Sequence, residues 1–120
     1  MERAEAVALI EQRRDAWLRE DVSAYLQMFH DDFTFTVNGV EVVRGRLALE
    51  NAVRRSYLRF RPAAWEFSEI AVDGPHVLAE WVATTEERAT GVTKSIRAMS
   101  VCEMHEGLTV WQREYRLQAG

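Results

Sequence analysis

Residues 4 to 19 alternate apolar and polar positions at the period of a helix. Val7, Ile10, Trp17 and Leu18 fall near one face, and Glu11, Arg14, Asp15 and Arg19 spread over the rest. Asp21 stands where an N-cap belongs. After it, Val22, Tyr25, Leu26 and Phe29 keep i, i+3, i+4, i+7 spacing, which predicts a second, shorter helix ending near His30-Asp31-Asp32. The period then drops to two. Phe33, Phe35 and Val37 alternate with Thr34 and Thr36, as along one strand with a single apolar face. Asn38-Gly39 separates this run from Val40-Glu41-Val42-Val43, the pattern of a hairpin whose two turn residues both need positive φ. Beyond Gly45 a third helix is expected from Leu47 to Phe60, with Leu49, Val53, Tyr57 and Phe60 as its apolar stripe and Arg61-Pro62 as its stop.

The remaining half reads as strands, at 64–72, 77–86, 94–104 and 108–117, separated by Asp73-Gly74-Pro75, by 87–91 and by His105-Glu106-Gly107. Short loops between consecutive strands predict antiparallel hairpins. The fold class is therefore α+β, with three N-terminal helices packed into a strongly curved antiparallel sheet. Ten-residue strands outrun the stripe of one helix unless the sheet curls, and a curled sheet leaves a cone-shaped mouth suited to a small apolar ligand. No repeat, linker or low-complexity tract interrupts residues 1–120, so one domain is expected.

Composition narrows the partners. At 48% hydrophobic and 28% charged, the chain is globular. A net charge of −4 argues against nucleic acid, which selects basic surfaces. Cys102 stands alone, so neither an intrachain disulfide nor a cysteine metal cluster is possible. The charged start Met1-Glu2-Arg3-Ala4-Glu5 does not resemble a secretory signal, and no run of apolar residues is long enough to cross a membrane. A cytoplasmic location is the expectation.

Several short phrases, in this order and spacing, resemble the SnoaL-like, or NTF2-like, superfamily of polyketide cyclases, ketosteroid isomerases and limonene-epoxide hydrolases. They are Met28-Phe29-His30-Asp31-Asp32-Phe33, Val43-Arg44-Gly45-Arg46, Ile70-Ala71-Val72-Asp73-Gly74, Val77-Leu78-Ala79-Glu80-Trp81, and Glu106-Gly107-Leu108-Thr109-Val110 running into Arg113-Glu114-Tyr115. The resemblance implies a cystatin-like cone over nearly the whole chain. It implies less about chemistry. Where the epoxide hydrolases place an arginine and an aspartate on one strand, this chain has Trp81 and Ala83, and their water-holding tyrosine and asparagine correspond to Phe35 and Val37. The isomerase base falls at Val37 or Asn38. What survives is Glu114, the single carboxyl that the cyclase-like pattern uses as acid and base.

Glu114 is the catalytic candidate, because a carboxyl inside an apolar cone is desolvated and titrates nearer neutrality. Its facing is open. If Glu114 points inward, so do Gln112 and Val110, while Trp111, Arg113 and Tyr115 point out. The opposite parity buries Trp111, Tyr115 and Leu117, a more apolar set that the pattern slightly favours. Tyr57 is a candidate hydrogen-bond donor to a ligand carbonyl, and Trp17, Tyr25, Phe35, Trp81 and Gln112 are candidate lining. His30-Asp31-Asp32 reads as turn chemistry, and Arg54, Arg55, Arg59 and Arg61 as a solvated helix face. Two function classes follow: an acid/base isomerase or cyclase acting on a small apolar carbonyl or cyclic metabolite with no cofactor, or a binding or dimerising module without chemistry. A diverged epoxide hydrolase is a third. Met99, Val101, Trp111 and Tyr115 on the outer face predict a homodimer.

Overall fold

The structure, a computed structural model, describes residues 1–117. Its elements run α1 (Arg3–Leu18), α2 (Val22–Leu26), β1 (Phe29–Val37), β2 (Val40–Arg44), α3 (Arg46–Arg59), β3 (Phe60–Asp73), β4 (His76–Glu87), β5 (Thr93–His105) and β6 (Leu108–Arg116). The three helices and the curved sheet are those expected. All six strands join one sheet in the order β2-β1-β6-β5-β4-β3. The N-terminal hairpin is thus an integral part of the wall. Four of the pairings are antiparallel, while β1 runs parallel to β6, with Phe35 beside Gln112 and Val37 beside Glu114.

Local chemistry accounts for most boundaries. The Asp21 carboxylate accepts a hydrogen bond from the Ala24 backbone N–H at 3.1 Å, capping α2. Asn38 and Gly39 have φ of 48° and 84°, the two left-handed residues of a type I′ turn. Two aromatic positions belong to different elements than their spacing suggested. Phe29 opens β1 and does not continue α2, and Phe60 opens β3 and does not end α3. Both sit where helical and strand periods coincide, and burial is what the pattern detected: Phe29 is 1% exposed. Pro62 is tolerated inside β3 because β3 is an edge strand with a register shift between Pro62 and Ala64. His30, Asp31 and Asp32, read from the sequence as a turn after α2, lie instead inside β1 at its register shift between Phe29 and Thr34. They are exposed, the Asp32 N–H donates to His30 Nδ1, and Arg46 pairs with Asp31 at 2.7 Å.

The buried apolar residues form two clusters. One packs Ala6 and Ile10 of α1 against Val77, Ala79, Trp81, Ala98, Cys102 and Met104 of the sheet. The other gathers Phe29, Phe33 and Val43 of the hairpin with Leu49, Val53 and Tyr57 of α3. The stripe that α1 presents inward is Ala6, Ile10, Arg13 and Ala16, so an arginine occupies a core position. Arg54, Arg59 and Arg61 lie in exposed ion pairs with Glu50, Glu87 and Glu86, the solvated face anticipated from their spacing.

Candidate functional site

The aromatic side chains of Trp17, Tyr25, Phe35, Phe60, Trp65 and Trp81 line a cavity of about 410 Å³. Ala83, Ile96, Ser56 and Thr85 complete its sides, and the exposed Lys94 and Arg116 reach its rim. That volume falls within the range of ordinary small-molecule sites. Glu114 and Gln112 lie in the wall and are 5% and 9% exposed. The structure therefore brings Glu114, Gln112, Trp17, Tyr25, Phe35 and Trp81 around one space. Tyr57 is not among the residues lining it. Its hydroxyl donates to the Trp17 backbone oxygen at 2.9 Å, so it braces two helices and offers no donor to a ligand. The tyrosine that does face the cavity is Tyr25, one helix earlier.

The parity of β6 follows neither of the simple alternations. Gln112 and Glu114 are buried, with Arg113 and Tyr115 exposed, but Thr109 and not Val110 is the next inward residue. The β5–β6 register explains this. Glu103 pairs with Trp111 and Met104 with Thr109, so Val110 is an extra residue in a β-bulge. The bulge resets the alternation and lets Thr109 and Gln112, three apart, face the same side.

Electrostatics distinguish the polar groups. Burial pushes the Glu114 carboxyl above the ordinary carboxylate range, and the hydrogen-bonded Arg116 guanidinium opposes that rise. Burial pushes the Tyr25 hydroxyl up to about 12, with the Arg13 charge pulling down and the Glu114 charge pushing up. Tyr25 therefore stays a neutral donor while sensing both charges. Arg13 itself is 6% exposed. Its Nη1 donates to Gln112 Oε1 at 2.8 Å, its Nη2 donates to Thr109 Oγ1, and its guanidinium carbon lies 4.8 Å from the Phe29 ring centre. Since a guanidinium can only donate, Gln112 must turn its oxygen to Arg13 and its Nε2 the other way. Among the described residues Nε2 has no acceptor, yet protein atoms do not enclose it, unlike Arg13 Nε and Trp65 Nε1. The Tyr25 hydroxyl is in the same condition. The cavity thus holds one carboxyl together with the Gln112 amide and Tyr25 hydroxyl as donors, and the Ser56 and Thr85 hydroxyls and the Lys94 ammonium also line it.

Arg13, Trp65, Lys94 and Arg116 were not anticipated as site residues. For Arg13 a signal existed, since three residues after Ile10 and three before Ala16 is a position on the apolar stripe. Trp65 lies on a strand whose two register shifts obscure its face. Among the described residues no group of three or more His, Cys, Asp and Glu side chains could hold a metal ion, and no helix is long and apolar enough to cross a membrane.

A family model described as a SnoaL-like domain matches residues 10–112. Several solved structures share the fold. A proposed isomerase from Bacillus subtilis superposes with a TM-score of 0.84 at 15% identity, over 98% of this chain and 90% of that one. An LEH-like epoxide hydrolase from M. tuberculosis gives 0.84 at 22% identity, over 98% and 86%. A proposed polyketide cyclase from Xanthomonas campestris pv. campestris gives 0.77 at 23% identity, over 94% and 90%. No curated protein matches the chain. At these identities the superpositions establish the architecture, which hosts more than one chemistry.

Proposed function

The chain belongs to the SnoaL-like domain family, and from that premise we propose that it is a small-molecule pocket protein whose Glu114 moves protons on an apolar carbonyl-bearing or cyclic metabolite. The observation that carries this is a single desolvated carboxyl in the wall of an aromatic cavity, with the Gln112 amide and the Tyr25 hydroxyl beside it. In the isomerisation form of the reaction, ionised Glu114 takes a proton from the carbon next to a ketone. The C–H pair becomes the double bond of an enolate, and the negative charge settles on the ketone oxygen. Tyr25 O–H and Gln112 Nε2–H are donors positioned in the same wall for that oxygen. From a β,γ-unsaturated ketone this ion is a dienolate, and return of the proton to its γ-carbon yields the conjugated ketone and restores the carboxylate. Aldol-type cyclisation and dehydration use the same enolate. None of these steps calls on a metal or an organic cofactor.

A panel of β,γ-unsaturated cyclic ketones tests this, because the conjugated product absorbs where the substrate does not. Catalysed growth of that band, abolished by Glu114→Gln, is the expected result. Ligand binding without turnover across the panel would instead favour the second reading, a binding module without chemistry. One observation favours that alternative: Arg116 already neutralises Glu114, as in a structural ion pair. Epoxide hydrolysis by paired carboxylates finds less support, since Glu114 is the one carboxylate among the described lining residues.

Assembly is part of the same proposal. Leu78, Met99 and Tyr115 are 38%, 52% and 51% exposed on the outer face of β4, β5 and β6, where Leu78 pairs with Val101 and Met99 with Tyr115. These exposed apolar residues, flanked by Glu80 opposite Met99 and Arg113 opposite Val101, suit a second copy of the chain. Light scattering at micromolar concentration is expected to return a dimer mass, and Met99→Asp is expected to return a monomer. A monomer mass for the unaltered chain would overturn the assembly.

A further inference from the structure

Arg13 is a cation in the core whose neighbours leave it unneutralised. From β6 it meets Gln112 and Thr109, from β1 the Phe29 ring, from α2 Tyr25, and from β5 Cys102. Burial raises the Cys102 thiol in spite of the guanidinium beside it, so that neighbour brings no negative charge. Glu114, the one acid on β6, has Arg116 as its ion-pair partner, and no carboxylate pairs with Arg13 among the described residues. Taking an arginine out of water is costly, and a purely structural site usually compensates with a carboxylate. Here the compensation is two hydrogen bonds and an aromatic face. The positive charge is left standing behind Gln112 and Tyr25.

We propose that Arg13 is a positioning residue, one that locks the Gln112 amide with its N–H groups toward the cavity and backs the Tyr25 hydroxyl, so that the site selects ligands whose oxygen is or becomes anionic, enolates and phenolates. The lock has a simple physical basis. A flipped amide would set Nε2 against Nη1, two donors facing each other in a buried place, and would leave the guanidinium without its acceptor. The charge contributes separately. A cation in a poorly screened interior attracts negative charge on a ligand oxygen more strongly than the same cation in water. The ligand class deepens the preceding reading and rests on it only in that Glu114 would generate the oxyanion. Binding of a ready-made phenolate does not need Glu114 at all.

That independence sets the experiment. The probe is para-nitrophenol, whose phenol and phenolate forms absorb differently, bound to the Glu114→Gln protein so that no carboxylate competes. The bound probe is expected to ionise about one pH unit or more below free probe, a roughly tenfold preference for the anion. Arg116, released from Glu114, and Lys94 also line the cavity and are common to every variant. Adding Arg13→Met is therefore expected to reduce that displacement severalfold, and Arg13→Lys, which keeps the charge but not the planar pair of donors, to restore part of it. Gln112→Leu removes the donor that Arg13 orients and is expected to reduce the displacement, and it tests the lock independently if Arg13→Met does not fold. Bound probe that ionises like free probe in the Glu114→Gln protein, or an undiminished displacement with Arg13→Met or with Gln112→Leu, overturns the proposal. Failure of the Glu114 reading shows elsewhere, as ketone turnover that survives Glu114→Gln.

Discussion

Glu114→Gln is expected to retain ligand binding and lose about 10²- to 10⁴-fold in turnover, the range that removal of a positioned general acid or base produces. The substitution is close to isosteric. Its amide oxygen can still accept from Arg116, and the aromatic wall of Trp17, Tyr25, Phe35, Trp65 and Trp81 is untouched. What it removes is a group able to take and return a proton. Steady-state rates on the ketone panel, beside ligand titrations followed by tryptophan fluorescence, separate the two effects. A variant that binds and turns over at the wild-type rate excludes the mechanism. In the wild type the rate of a base-initiated step should rise with pH as the carboxyl ionises, and that rise should lie above the ordinary carboxylate range because burial raises Glu114. The stability consequence has the opposite sense. The native chain keeps this proton at pH values where the unfolded chain has released it, so the contribution is complete below the ordinary carboxylate value and is lost as pH climbs through the raised one. Denaturation curves of Glu114→Gln across that interval should lack this component.

The largest loss of stability is expected from Phe29→Ala, about 3–5 kcal/mol by chemical denaturation. Phe29 is 1% exposed, and its ring centre lies 4.6 Å from that of Phe33 and 5.0 Å from that of Tyr25. It joins a run of aromatic contacts that continues through Tyr25 to Trp17 and Tyr57. Truncation leaves a void that strands already paired on both sides cannot close, and it also strips the aromatic face from Arg13. With total stabilities of about 5–15 kcal/mol for such domains, a loss of this size would leave a marginal protein. Leu58→Ala, on the same protein but 81% exposed, provides the control and should change stability by less than about 0.5 kcal/mol. Equal effects at the two positions would contradict the packing described for the hairpin cluster.

How far the residues alone disclose this arrangement varies by level. Elements with their own local chemistry were legible: the Asp21 cap, the Asn38-Gly39 turn, and the α3 stripe of Leu49, Val53 and Tyr57. The parallel β1–β6 pairing was not, because strand partners distant in sequence leave no mark on local periodicity. On β6 the alternation misled. Both faces carry apolar residues, one for packing and one exposed, and the Val110 bulge shifts the phase midway. The cavity side chains named from the pattern were mostly those that face it, since aromatic residues at core spacing line any hollow the core leaves. Tyr57 failed for a subtler reason. Its position on the stripe was right, but the direction of a hydroxyl is settled by a backbone oxygen 40 residues away in the chain. Arg13 shows the converse: its place on the stripe was computable, and its residue type disguised it.

The position of β6 in the strand order has a consequence for how the chain is made. β6 is the strand that joins the β1–β2 hairpin to β5, β4 and β3. Of the six described strands it is the last to leave a ribosome, so two separate sheet fragments, each with an unsatisfied edge, must wait for it. Gln112 and Glu114 arrive on that same strand. A nascent chain stalled before residue 108 would therefore carry an open seam prone to pairing with other chains, and completion of the wall and installation of its carboxyl would be a single late event.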